Sequence, residues 1–420
     1  MAKNDAHFDH LETRSVDQRE TDLFAALSQQ VTHAKTNSPY FADVFKDIDT
    51  NSINNRDALA KLPVTRKSDL IELQKKAYPF GGLTAVEPGK LKRIFQSPGP
   101  IYDPEGYAGN WWRTARALFA AGFRQGDIVH NTFAYHLTPA GSMMETGAAE
   151  IGCAVVPAGV GNTELQVRIM ADIRPTAYAG TPSFLKILLA KAREMGEDVS
   201  SLNKSIVGGE ALFPQLRQEI EDQGVNCQQI YATADLGNIA YESTAREGLI
   251  VDEGLIIEIV RPGTNDPVPD GDVGEVVATL FGPEYPLIRF GTGDLSAVMS
   301  GTSPCGRTNM RLKGWMGRAD QTAKVKGMFV HPAQIAEVVR RHLEIKKARL
   351  VIDQRDGADV MTLSCEVEDP ENIVGSQAAL ASDIIATIQA VCKLRAEVGF
   401  AALGSLPNDG KIIDDIRTID

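Results

Sequence analysis

No apolar run in this chain of 420 residues is long enough to cross a bilayer. The opening stretch, MAKNDAHFDHLETRSVDQRE, lacks the apolar core of a secretory signal. The five cysteines (Cys153, Cys227, Cys305, Cys365, Cys392) are scattered and odd in number, with no Cys-x-x-Cys pair. That gives no metal framework and fits a reducing cytoplasm, the expected location. Positive charge is in deficit. Lys and Arg total 43 against 55 Asp and Glu, a formal net charge of -12. Such a balance argues against a nucleic-acid face, which needs clustered Lys and Arg. It leaves room for small anionic ligands, which need only a local positive site. Internal repeats and low-complexity segments are absent too.

What is there reads as α/β. The length predicts two domains, or one large and one small. From about residue 125 to 240, short apolar runs (DIVHNTF, CAVVPAG, TAYAG, KSIVGG, CQQIYAT) alternate with amphipathic stretches (ELQVRIMADI, SFLKILLAKARE, FPQLRQEIEDQ). Strand then helix, repeated, predicts a parallel or mixed sheet. GLIIEIVRP and GEVVATLF then read as strands around a Pro/Asp/Gly-rich turn. The last hundred or so residues predict a small α+β unit. In HPAQIAEVVRRHL, Ile335, Val338, Val339 and Leu343 fall at helical spacing. A hairpin turning at Asp356-Gly357, a second helix and a further strand follow.

Several loops carry chemistry-bearing residues. YATADLGN sets Thr233 and Asp235 after a strand, and PLIRFGTGDL sets Asp294 in a glycine-broken loop. A carboxylate placed there can accept both hydroxyls of a ribose, although turn-capping aspartates are common in such loops. Arg318 and Asp320 lie between glycine turns, as a charged linker or an interdomain hinge would. Lys411 follows a Pro-Asn-Asp-Gly turn and, by itself, reads as surface charge.

The order and spacing of these stretches resemble the adenylate-forming enzymes, specifically the phenylacetate–coenzyme A ligase branch. LAKLPVTRKSDLIE, YPFGGLTAV, GTPSFLKILLAKA, GGEALF, PLIRFGTGDL, CGRTNMRLKGWMGRAD, KGMFVHPAQIAEVV and LPNDGK all fall in register with that branch. The resemblance implies a large multi-layer N-terminal α/β domain with mixed sheets and a β subdomain (1–318), and a small mobile C-terminal α+β domain (319–420). It implies an AMP-forming carboxylate–CoA ligase using ATP, Mg²⁺ and coenzyme A on a small acid of aryl or phenylacetate type. No nucleic acid or membrane partner is expected, and a homodimer is the default assembly. Carried over position by position, Asp294 is the ribose carboxylate. Gly208, Gly209 and Glu210 line the adenine pocket with Tyr231 near the ring, and Thr233 joins the nucleotide site. Asp235 is the metal ligand, Arg318 sits near ribose and phosphates, and Asp320 is the hinge. Lys411 is the adenylation lysine, and Lys326 and Gly327 approach the coenzyme A tunnel. Tyr135, His136, Ala140 and Gly141 are candidates for the acyl pocket, with core packing as the competing account.

One segment departs from the pattern. The family's phosphate loop is a Ser/Thr/Gly run followed by Lys-Pro, whose hydroxyls and amides cradle phosphate. Here RIFQSPGPIYDPEG, read as a tight loop between helical stretches, keeps Ser97 and Gly99 but puts Pro98, Pro100 and Ile101 at the other hydroxyl positions. Asp103 stands near the place of the lysine, and Asp103 and Glu105 are expected to repel a triphosphate unless a metal intervenes. Asp235 also stands where the family has Glu. The sequence therefore leaves open a working ligase, a non-catalytic paralogue that binds AMP, acyl-adenylate or acyl-CoA, and an acyltransferase starting from preformed adenylate.

Overall fold

The computed structural model describes residues 6–97, 100–321, 323–325, 328–355, 358–370, 376–407 and 411–417. Two compact units emerge: Met1–Thr292 with Ser296–Trp315, and Gly293–Leu295 with Met316–Asp420. Asp294 and Arg318 therefore both belong to the second unit.

The first unit is built on a nine-stranded sheet. Five strands pair in parallel: Ala154–Pro157, Ile128–Asn131, Ala177–Gly180, Lys204–Val207 and Asn226–Thr233, in that spatial order. Helices Ala140–Ile151, Thr163–Ile173, Pro182–Met195 and Pro214–Glu221 connect them; the last three follow the predicted pattern, and Ala140–Ile151 was not foreseen. Helix Pro182–Met195 shows why these segments fold locally. Pro182 opens it, the Thr181 side chain accepts from the Phe184 N–H, and Gly196 at φ 72° ends it. Its Leu185, Leu188, Leu189 and Ala192 are buried. Chain order reverses at strand Ile128–Asn131, whose successors lie on opposite sides of it. Open α/β sheets bind ligands outside the carboxyl ends of their strands near such a reversal. The sheet continues antiparallel through Gly237–Tyr241, Leu249–Val251, Arg311–Leu312 and Val298–Met299.

A second sheet of four strands orders Thr65–Arg66, Phe290–Ser296, Gly274–Leu280 and Leu255–Val260. Its strands are buried along their length at Leu255–Val260 and Gly274–Leu280. The stretch read as a loop between helices is instead a two-stranded antiparallel hairpin. Arg93–Ser97 pairs with Ile101–Glu105, with Phe95 opposite Asp103.

In the second unit the helix Pro332–Arg341 buries Ile335 and Val338. Leu343 does not continue that face: it lies past the helix end and is 84% exposed. Strands Lys347–Arg355 and Ala358–Val367 form the expected hairpin, with the turn residues Asp356 and Gly357 outside the described residues. Glu397–Ala402 and a short strand unforeseen in the sequence, Ile413–Asp415, complete a four-stranded sheet, packed on helix Gln377–Cys392. Ala323–Val325 and Met328–Val330 form a further hairpin where the sequence reads as linker. Among the described residues no helix is long and apolar enough to cross a membrane.

Candidate active site

A cavity of about 190 Å³ opens at the carboxyl ends of the parallel strands in the first unit. It is lined by Phe133, Ala140, Met143, Met144, Gly208, Gly209, Ile230 and Thr233, with Ser97 at the hairpin end. Phe133 follows strand Ile128–Asn131, Gly208 follows Lys204–Val207, Thr233 ends Asn226–Thr233, and Ala140, Met143 and Met144 come from helix Ala140–Ile151. The cavity thus gathers five residues singled out in the sequence: Ser97, Ala140, Gly208, Gly209 and Thr233. Phe133, Met143, Met144 and Ile230 were not singled out. Phe133 and Ile230 lie in predicted strands, indistinguishable in sequence from core, and Met143 and Met144 lie in a stretch with no predicted element.

The other acyl-pocket candidates do not line it. His136 is exposed. Gly141 and Tyr135 pack on each other, since a Cβ at Gly141 would meet the Tyr135 ring at 2.8 Å. The Tyr135 hydroxyl accepts from Asn131 Nδ2 at 2.8 Å. Burial, with Glu145 adding to it, pushes its pKa up. Both residues therefore serve packing at the start of helix Ala140–Ile151. Glu210 is exposed, and its carboxylate accepts from the Ser183 amide at 3.0 Å, at the first turn of helix Pro182–Met195. The Tyr231 hydroxyl donates to Thr292 Oγ1 at 3.3 Å.

The turn between strands Asn226–Thr233 and Gly237–Tyr241 places Asp235. Thr233 Oγ1 accepts from the Leu236 N–H at 3.2 Å. Gly237 closes the turn at φ 71°, where a Cβ would lie 2.6 Å from the Trp112 carbonyl oxygen. Only glycine satisfies both demands. Asp235 is buried, and its Oδ2 accepts from Lys67 Nζ at 2.6 Å. Lys67 begins the short 3₁₀ turn Lys67–Asp69 after strand Thr65–Arg66. Sequence reasoning gave it no role: it lies in the quoted segment LPVTRKSDL, but nothing local links it to a residue 168 positions away.

The two acids of the altered loop behave differently from expectation. Glu105 is buried and neutralised by Lys92 Nζ at 3.1 Å and Arg93 Nη1 at 3.0 Å, and it accepts from Ser142 Oγ at 2.9 Å. It is a structural anchor of the hairpin and presents no free charge to a phosphate. Asp103 is buried too. Burial first, and the charge of Asp235 second, push its pKa up to about 8, against a smaller downward pull from Ser97 and Lys67. At neutral pH it is mostly protonated, so its repulsion of a triphosphate is much weaker than its formal charge implies. Nearby Tyr285 is fully buried, and burial, then the charges of Asp235 and Asp103, raise its pKa. Pro98 and Gly99 lie outside the described residues.

In the second unit Asp294 Oδ1 accepts from Arg318 Nη1 at 3.2 Å, and the two residues also form an isolated backbone bridge. Asp320 falls in the 3₁₀ turn Ala319–Gln321, its side chain outside the described residues, as are Lys326 and Gly327. Lys411 is exposed, with Nζ 2.8 Å from Asp414 Oδ1. The next residue's N–H donates to Gln321 Oε1 at 2.8 Å, tying the lysine's backbone to the Ala319–Gln321 turn.

All five cysteines are free thiols. Among the described residues no group of three or more His, Cys, Asp or Glu is placed to hold a metal. A Mg²⁺ ion needs no such group, since it keeps waters and takes one or two carboxylates together with substrate phosphates. Asp235 Oδ1, without a hydrogen-bond partner among the described residues, fits that role.

Comparison with known proteins agrees with this arrangement. Residues 109–280 match the AMP-binding enzyme family and residues 327–416 match the AMP-binding enzyme C-terminal domain. The first match begins beyond the altered hairpin. Phenylacetate-coenzyme A ligase of Thermus thermophilus is 30% identical over 82% of this chain and 80% of its own. That of Pseudomonas putida is 32% identical over 81% and 79%. Among solved structures, an open conformation of 2-hydroxyisobutyryl-CoA ligase with 2-HIB-AMP and CoA superposes with a TM-score of 0.83 at 23% identity, covering 96% of this chain and 93% of that one. The fold and the sequence relationship agree, and the chain belongs to the phenylacetate–coenzyme A ligase family of AMP-binding enzymes.

Proposed function

We propose that this chain activates a small carboxylic acid with ATP to an acyl-adenylate and transfers the acyl group to coenzyme A. The cavity at the strand ends carries this reading. It brings Ser97 of the hairpin, Gly208 and Gly209 of the adenine segment, and Thr233 to one apolar chamber. An apolar cavity of ~150 Å³ accommodates benzene. About 190 Å³ therefore suits one aromatic ring or a short branched acyl chain.

In the adenylation step the substrate carboxylate attacks the α-phosphorus and pyrophosphate leaves. Charge grows on the phosphate oxygens and must meet fixed donors. Lys67 and Lys411 supply positive charge in place of the missing loop lysine, and Asp294 holds the ribose. Mg²⁺, held by Asp235, would neutralise phosphate charge. In the second step the coenzyme A thiol attacks the acyl carbon and AMP leaves. Phe133, Met143 and Met144 keep water from the reacting carboxylate throughout.

The altered hairpin favours a second reading, in which the chain binds adenylate or acyl-CoA without making pyrophosphate. Incubation with ATP, Mg²⁺, coenzyme A and single-ring or short branched acids, with mass detection of the thioester, separates the two. An acyl-CoA product supports the ligase. Binding of AMP with no thioester from any acid supports the second reading.

A further inference from the structure

The hairpin replaces a lysine with an aspartate beside the aspartate that stands at the family's metal position. Three oxygens there, both of Asp103 and Oδ1 of Asp235, are buried without a hydrogen-bond partner among the described residues. The Tyr285 hydroxyl, also buried beside them, is a fourth such oxygen. Buried polar atoms are ordinarily satisfied, and each orphan costs about 1–3 kcal/mol. One cation already reaches the cluster, Lys67 on Asp235 Oδ2. It does so from the solvent side, its side chain 23% exposed, and among the described residues leaves these oxygens unsatisfied. Hard oxygen donors, three of them on two carboxylates, are what a divalent cation takes.

We infer that Asp103 and Asp235 together form a divalent-cation site, in which a second carboxylate takes the position of the loop lysine. Asp103 is brought there by its register opposite Phe95 in the hairpin, and Asp235 by the Gly237 turn. Tyr285 Oη is a neutral oxygen donor at the same centre. Water, and phosphate oxygens when nucleotide is present, complete the shell. The site is expected to hold a cation before nucleotide arrives. This inference rests on the reading of the hairpin end as the phosphate side of the ligase site.

The test is Mn²⁺ binding to the full chain at fixed pH, without nucleotide or acid, read from the electron paramagnetic resonance signal of free Mn²⁺. One site is expected, with affinity falling at least tenfold in both Asp103→Asn and Asp235→Asn. Mn²⁺ should raise the melting temperature of the native chain and leave both variants unmoved. If Asp103→Asn does not fold, Asp103→Ser serves the same comparison. Absence of Mn²⁺ binding by the native chain, or an unchanged affinity without Asp103, overturns the two-carboxylate site. Because no acid or ATP is present, either failure leaves the ligase reading standing. Failure of thioester formation likewise leaves the cation site standing.

Discussion

Lys67 and Asp235 meet at 2.6 Å across 168 residues of chain, one delivered by an edge of the four-stranded sheet and the other by a turn of the nine-stranded sheet. In the proposed mechanism Lys67 supplies the cation that the hairpin does not. Removing the lysine strands a buried carboxylate, which costs about 3 kcal/mol. Lys67→Met is therefore expected to lower the urea midpoint with an unchanged slope, and to weaken ATP binding at least tenfold. Native ATP affinity in this variant would take Lys67 out of the nucleotide site.

Asp103 gives a pH dependence whose sign is fixed. Burial pushes its pKa from the ordinary aspartate range when unfolded up to about 8 when folded. A raised pKa contributes stability that is complete below the unfolded value and lost as pH rises through the folded one. Asp103→Asn removes that loss. In metal-free buffer the variant should gain melting temperature relative to the native chain on going from pH 5 to pH 8.5. A constant difference across that range would mean that Asp103 does not hold its proton.

Ala140 lies on the cavity wall at the first turn of helix Ala140–Ile151. Ala140→Leu fills a large part of about 190 Å³. The KM for the acid should rise at least tenfold while AMP affinity stays native. An unchanged KM would place the acyl group elsewhere.

Gly237 holds the turn that carries Asp235, at φ 71° and against the Trp112 carbonyl. Gly237→Ala meets both the left-handed backbone and the clash, a cost of about 3 kcal/mol. Thermal or denaturant unfolding measures it directly, and a loss under about 0.5 kcal/mol would show that the turn relaxes freely.

Lys411 and Asp294 divide the reaction in the proposed mechanism. Lys411→Ala should abolish acyl-adenylate formation yet leave thioester formation from supplied adenylate largely intact. Asp294→Ala should weaken ATP and AMP together, which calorimetry reports. Equal loss of both half-reactions in Lys411→Ala would remove its assignment to adenylation.

Much of this architecture is legible in the sequence because its signals are local. The five parallel strands and their helices follow from apolar runs of the right length and from caps such as Thr181 and Gly196. The hairpin Arg93–Glu105 was illegible because its alternation is hidden. Asp103, Pro104 and Glu105 are all buried, so polar residues occupy inward positions, and prolines mimic a loop. Strand Ile413–Asp415 is three residues long, two of them aspartates, with no periodic pattern to read. Asp235 and Asp294 stand out only through the order of many motifs, and the partner of Asp235 could not be read at all, because the Lys67 contact exists only after two sheets have formed. His136 lies off the cavity wall and exposed for a related reason: an aromatic-rich segment does not reveal which of its faces turns to the cavity.

The most direct measurement is pyrophosphate release from Mg·ATP, without coenzyme A, across benzoate, phenylacetate and short branched acids. The account expects acid-dependent release of about one equivalent per chain, held there until coenzyme A is added, with the best acid small enough for the cavity. No release with any acid, alongside measurable AMP binding, would contradict it and make the altered hairpin the mark of a chain that does not adenylate.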